Sequence, residues 1–207
     1  MIATLPVTGV FTTNCYFLVD DEDGHGFLID PGAEAHRLLR LIGQQHWTIE
    51  KILLTHGHFD HFGAVPALQQ VLDIPVMIHE NGKAYLEDPG INLSRFCGPD
   101  IRIHHANYFR DGDVLHLDKG NSLSLQVIHT PGHTLYSSTL YSPDHHAAFV
   151  GDTIFKGSPG NDGYPTGNGR RLMHSIRSKI LQLPEDTVLL SGHSAPTTVQ
   201  AEKWRYA

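Results

Sequence analysis

The sequence is short of cysteine, of clustered positive charge and of long apolar runs, and each shortage removes a class of protein. Cys15 and Cys97 are its only two cysteines. That is too few for a disulfide framework, so both read as small buried residues in a reducing compartment such as the cytosol. Lys and Arg total 15 against 22 Asp and Glu, for a net charge of −7, and the basic residues form no long run. A nucleic-acid binder needs a positive surface to meet phosphates. An acidic, solvated surface is the expectation instead, and nucleic acid is not an expected partner. The opening "MIATLPVTGVF" lacks a basic n-region and a sustained apolar stretch, so it reads as neither a signal peptide nor a membrane span. A soluble cytoplasmic protein with no membrane partner is expected.

Against these shortages stands an excess of histidine: 16 residues, more than all Lys and Arg combined. Scattered histidines need no function, so their grouping decides. The stretch "LLTHGHFDHFGA", residues 53–64, carries His56, His58, Asp60 and His61. Metal binding, proton transfer, a pH sensor and chance are the four readings to separate.

A chain of 207 residues, 40% hydrophobic and 18% charged, suits one domain spanning residues 1–207 with a substantial core. No linker, low-complexity tract or short repeat divides it. "IATLPV", "NCYFLVD" and "GFLID" read as short strands. "PGAEAHRLLRLIGQQH" reads as a helix whose apolar face is Leu38, Leu39, Leu41 and Ile42. "EKILLTH" is a buried strand, "FGAVPALQQVL" a helix with Pro66 in its first turn, and "IPVMIH" another strand. "ENGKAYLED" reads as a short helix and "PGINLSRFCGPD" as loop. Strands dominate the second half: "DVLHLD", "SLSLQVIHT", "LYSSTLYS" and "HAAFVGD". Residues 156–170, "KGSPGNDGYPTGNGR", hold five glycines and two prolines without periodicity, which predicts a long loop. "RRLMHSIRSKILQL" reads as helix, "TVLLSGH" as strand, and "TTVQAEKWRYA" opens with an N-cap. Strand groups followed by helices occur in both halves. This predicts an α/β fold of two facing sheets with helices outside.

The histidine cluster directly follows a strand, where α/β folds place ligands. His56 and His58 are two apart, so on an extended segment they point the same way. "VIHTPGHT" offers His133 after another strand, "AAFVGDT" offers Asp152 and "VLLSGHS" offers His193. Protein-bound zinc takes His nitrogen and Asp oxygen. These seven donors are too many for one tetrahedral ion and suit two ions sharing a carboxylate. A proton relay needs fewer groups, and a pH switch of so many imidazoles would repel itself once charged.

"THGHFDH", "TPGHT", "GDTIF" and "GHSAPTT", with "TNCYFLVD" and "IDPG" near the start, resemble in order and spacing the motifs of the metallo-β-lactamase superfamily. More narrowly they are similar to its hydroxyacylglutathione hydrolase (glyoxalase II) branch. The resemblance runs from about residue 4 to the end. It implies a four-layer αββα sandwich, the metallo-β-lactamase fold, with two divalent metal ions. His56, His58 and His133 match the ligands of the first ion. Asp60, His61 and His193 match those of the second, and Asp152 matches the bridging carboxylate. The donors include no thiolate, which suits zinc and also iron or manganese. An Asp rather than a Cys at 152 speaks against a typical β-lactamase.

The implied activity is hydrolysis of a small thioester by a metal-bridging hydroxide, S-lactoylglutathione or a related hydroxyacylglutathione being the first substrate. Asp60 is expected to be a ligand with some role in orienting the water. Iron-dependent persulfide oxidation and lactone or phosphoester hydrolysis are the alternatives on the same scaffold. Two departures stand out. The chain ends at Ala207 without the helical region that glyoxalase II proper carries after its last His motif, as in short single-domain relatives. Those relatives commonly read Gly-Arg-x-Asp after the "FKG" turn, where this sequence has Asn161 for Arg and Gly163 for Asp. Lys156, four residues after Asp152, either meets an anionic substrate group or is a solvent-exposed loop lysine. Tyr164 either lines the pocket or packs the loop. His129 is a possible support for His133.

Overall fold

The structure, a computed structural model, describes residues 1–119 and 123–206. Ser122, at the head of one expected strand, and Ala207 lie outside them. The chain forms two compact units, one of Met1–Phe109 with Leu115–Ser124 and one of Arg110–Val114 with Leu125–Ala207.

The first unit contains β1 (Ile2–Thr8), β2 (Thr12–Val19), β3 (His25–Ile29), α1 (Ala35–Gln45), β4 (Thr48–Leu53), α2 (Phe59–Phe62), α3 (Val65–Leu72), β5 (Val76–His79), α4 (Lys83–Glu87), α5 (Ser94–Cys97) and β6 (Asn107–Phe109). Its sheet follows chain order from β1 to β6. The first three strands pair antiparallel and the last four parallel. The parallel pairs require crossovers, which the helices supply. In α1 the buried Leu38 and Ile42 lie one turn apart, with Leu39 and Leu41 half-buried beside them, so the expected apolar face is the packed one. They join a core that includes Phe17, Leu28, Ile52, Phe62 and Leu68.

After β7 (Val114–His116), the second unit contains β8 (Ser124–His129), β9 (Ser138–Ser142), β10 (Ala147–Gly151), β11 (Ile154–Phe155), β12 (Ser158–Pro159), α6 (Gly169–Ser178), a 3-10 turn (Ile180–Gln182), β13 (Val188–Ser191), β14 (Thr197–Thr198) and α7 (Val199–Lys203). Its strands neighbour one another in the order β14-β13-β10-β9-β8. The β10–β13 pair is parallel and the others antiparallel. Asn168 caps α6 by accepting the Arg171 amide at 3.0 Å, and Leu172, Ile176 and Ile180 enter the core with Leu189 and Val199. Thr198 caps α7 through the Ala201 amide, as the N-cap reading expected.

Two expectations are corrected. "PGINLSRFCGPD" is not all loop, because it contains α5. The buried Asn92 organises it, donating to the carbonyls of Tyr85 (2.8 Å) and Ile101 (3.0 Å) and accepting the Ser94 amide (2.9 Å). A four-residue helix held by polar bonds leaves no apolar period to read. Residues 156–170 are not one continuous loop either. They begin in the tight β11–β12 hairpin and end in the first turn of α6. No helix among the described residues is long and apolar enough to cross a membrane.

Phe17 is fully buried, with the Trp47 ring tilted against it at 5.0 Å between centroids. Phe17→Ala is expected to cost about 3–5 kcal/mol, read as a lower urea midpoint at constant slope.

Candidate metal centre

In the first unit the donors gather where β3 and β4 end. Asp30, just past β3, takes the left-handed conformation (φ 50) and is buried. Its carboxylate accepts the Thr55 amide at 2.8 Å, the Thr55 hydroxyl at 2.6 Å and His61 Nδ1 at 3.0 Å. A carboxylate only accepts, so His61 Nδ1 carries the proton and Nε2 keeps its lone pair. The Thr55 hydroxyl, having donated to Asp30, accepts from His56 Nδ1 at 3.2 Å, which leaves the lone pair on Nε2 of His56 in the same way. His58 opens α2 in extended conformation, its ring edge-on to His56 at 4.8 Å. The His56 and His61 rings lie 4.1 Å apart, and His61 Nε2 is 3.9 Å from Asp60 Oδ2. The expected same-side placement of His56 and His58 and the turn that brings Asp60 and His61 to them are both present.

Close backbone approach makes this crowding possible. A Cβ on Gly32 would fall 1.7 Å from the Asp60 carbonyl oxygen, and one on Gly57 2.3 Å from Tyr85 Cβ. The "IDPG" and "HGH" glycines are therefore space requirements of the site.

In the second unit His133 follows Gly132, whose missing Cβ would overlap the Leu172 backbone at 2.2 Å. Gly132 also accepts the Asn168 amide at 2.7 Å, so the loop before His133 is sealed against the start of α6. His133 Nδ1 donates to the Asn161 carbonyl at 2.6 Å, again turning Nε2 outward from its support. Asp152 Oδ2 is 3.6 Å from His133 Nε2 and 3.4 Å from His193 Nε2, so one carboxylate oxygen faces both rings. Gly160 closes on the Asp152 carbonyl, where a Cβ would fall at 1.7 Å.

The structure thus brings His56, His58, Asp60 and His61 together in one unit and His133, Asp152 and His193 together in the other. Tyr164 lies edge-on to His133 at 6.0 Å. Lys156 is exposed at the tip of the β11–β12 hairpin, where the Phe155 ring stands 6.1 Å from His193. His129 Nε2 meets the Leu135 carbonyl at 3.0 Å, in the loop that follows His133. Cys15 and Cys97 are free thiols. Burial, with the Asp30 charge adding to it, pushes the Cys15 thiol well up, which fits packing rather than attack.

Sequence reasoning missed Asp30, Thr55 and the Asn161 carbonyl. Asp30 left a signal, a lone carboxylate closing an apolar strand before Pro-Gly. Asn161, where Arg was expected, serves through its main chain, which no side-chain motif reports.

The chain matches the Metallo-beta-lactamase superfamily profile over residues 8–193. It belongs to that superfamily. This metallo-β-lactamase superfamily chain is 37% identical to "Probable metallo-hydrolase YqgX" of Bacillus subtilis, covering 96% of this chain and 92% of that one. It is 35% identical to "Hydroxyacylglutathione hydrolase GloC" of Haemophilus influenzae, over 98% and 94% of the two chains. Among solved structures it is similar to BLEG-1 B3 metallo-beta-lactamase, with TM-score 0.91 and 35% identity over 98% and 96%. It is also similar to TTHA1623 in a di-iron-bound form, with TM-score 0.82 and 32% identity over 96% of each chain. The metallo-β-lactamase fold expected from the motifs is the fold of this superfamily member, a metallo-hydrolase.

The donor set fits metal ions. Every donor is nitrogen or oxygen, and His56, His61 and His133 each have Nδ1 tied to an acceptor, the arrangement that orients ligating imidazoles. Asp30→Ala would leave His61 and Thr55 without their acceptor. Metal affinity measured by chelator competition is expected to weaken about 10- to 100-fold, and an unchanged affinity would remove Asp30 from the support of the centre.

Proposed function

We propose that this metallo-hydrolase cleaves small thioesters of the hydroxyacylglutathione type with a two-ion centre. His56, His58 and His133 would hold one ion, Asp60, His61 and His193 the other, and Asp152 would bridge them. The observation that carries this reading is Asp152, whose single oxygen faces His133 and His193 together. The close relation to GloC along nearly the whole chain supports the substrate class.

The chemistry such a pair supplies is activation of water near neutral pH and polarisation of the substrate carbonyl. The chain's own part is orientation. Asp30 and the Asn161 carbonyl hold the Nδ1 protons of His61 and His133, which would leave Nε2 of each ring as the ligating nitrogen. Asp60 acts as a ligand and accepts a hydrogen bond from the attacking water, fixing its approach. A thiolate, whose parent thiol has a pKa of about 8.5, departs without a protein acid. Tyr164 beside His133 and Lys156 beside His193 would border the bound substrate. The donors suit zinc, iron or manganese, and the di-iron form of TTHA1623 makes iron a necessary arm of the test.

Purified protein reconstituted with zinc, iron or manganese in turn is expected to hydrolyse S-lactoylglutathione and to lose that activity on chelation. No turnover with any of the three metals would overturn the thioesterase reading. Asp152→Ala is expected to lower the metal count per chain, measured by elemental analysis, and to abolish most turnover. A full metal count would refute the bridge.

A further inference from the structure

Glu202 sits on α7 and is 2% exposed. Burying a carboxylate costs several kcal/mol unless donors are aimed at it, so what it holds is informative. Its Oε1 accepts the Gly157 amide at 3.0 Å and the Thr197 hydroxyl at 2.8 Å. Arg205 Nε stands 3.4 Å from Oε2. Burial and the Glu202 charge together push the Tyr206 phenol up to about 12. A carboxyl group is thus kept beside the apolar core of the second unit, which packing alone would not favour.

Gly157 is the left-handed tip (φ 86) of the β11–β12 hairpin. The residue before it, Lys156, donates its amide to Ser194 Oγ at 2.9 Å, and Ser194 is the residue after His193. Ser194 Oγ is in turn 2.7 Å from Ser191 Oγ at the end of β13. The tip is therefore held from two sides, by the segment that carries His193 and by Glu202. Lys51, Lys83, Lys179 and Lys203 each reach a carboxylate. Lys156 has no such partner among the described residues, so its ammonium is available to a ligand.

We propose that Glu202 is a positioning residue that fixes the hairpin tip so that Lys156 meets an anionic group of the substrate beside His193. The inference rests on the hydrolase reading above and adds to it which residue meets a carboxylate of the substrate and which residue holds it in place.

The test compares wild type, Lys156→Ala, Glu202→Ala, Glu202→Gln and the Lys156→Ala/Glu202→Gln double variant. Glu202→Gln removes the charge that strengthens the Gly157 and Thr197 contacts and serves if Glu202→Ala fails to fold. The probes are S-lactoylglutathione, the uncharged thioester S-acetyl-N-acetylcysteamine, and the unreactive anion S-methylglutathione, with metal content measured throughout. Loss of one charge-assisted contact is expected to weaken S-methylglutathione binding about tenfold in each single variant. The double variant should bind no worse than Lys156→Ala alone. KM for S-lactoylglutathione should rise while metal content stays at the wild-type level. Unchanged affinity in Glu202→Gln, additive effects in the double variant, or equal losses on both thioesters would each overturn the proposal. A wild type that binds S-methylglutathione but cleaves neither thioester would overturn the thioesterase reading alone. A wild type that cleaves both thioesters equally and does not bind the anion would overturn the inference alone.

Discussion

The direction of three imidazole protons is the constraint on which the rest depends. Four histidine and aspartate donors crowded into six residues would repel one another if the rings were charged, and would be useless as ligands if their lone pairs pointed into the chain. Acceptors behind the rings solve the second problem. Asp30 takes the Nδ1 proton of His61, Thr55 that of His56, and the Asn161 carbonyl that of His133. Each fixes which ring nitrogen carries the proton and leaves the lone pair on Nε2. The Asp30–Thr55 pair matters most, because one carboxylate fixes a backbone amide, a hydroxyl and an imidazole at once. Removing it would unseat the end of β4 as well as His61.

That arrangement sets demands on the backbone. Asp30 must adopt a left-handed conformation immediately after a buried strand, at a cost that only a fixed surrounding repays. The Asp60 turn must lie against Gly32 with no room for a Cβ, and Asp152 against Gly160 likewise. The same device appears in both units: an apolar strand ends, a glycine closes onto the next segment, and a donor projects from the turn. The strands supply rigidity and the glycines supply proximity. Neither alone would hold ring donors at metal-binding separations.

This division accounts for what could be read from the sequence. The donors were legible because neither core packing nor solubility calls for His and Asp gathered at strand ends. The long elements were legible because Leu38–Ile42 and Leu172–Ile176 repeat at helical spacing. Short elements were not. The two-residue strands flanking Lys156-Gly157 and the four-residue α5 are set by polar bonds from distant positions, Ser194, Glu202 and Asn92, and no local window contains those partners. The supports of the ligands were also hidden. Asp30 before Pro-Gly reads as an ordinary turn residue, and Asn161 acts through a carbonyl that any amino acid would offer. Its departure from the family's Arg therefore leaves the hold on His133 intact.

The burial of the donors indicates how a substrate would reach them. His56, His58, His61 and His133 are almost wholly buried, whereas His193 keeps 26% of its side chain exposed and Asp60 12%. His193 and Asp60 are thus the partly open donors of their respective units. Beside His193 stand the Phe155 ring and the hairpin tip with Lys156, held in place by Ser194 and by a carboxylate buried on the last helix. Within the second unit, rigidity thus reaches from α7 to the exposed edge of the donor set. An ester bound there would meet the Phe155 ring and His193 next to the tip that carries Lys156. A flexible loop could not keep that order of contacts, and a buried Glu202 is the kind of cost a chain bears when that order matters.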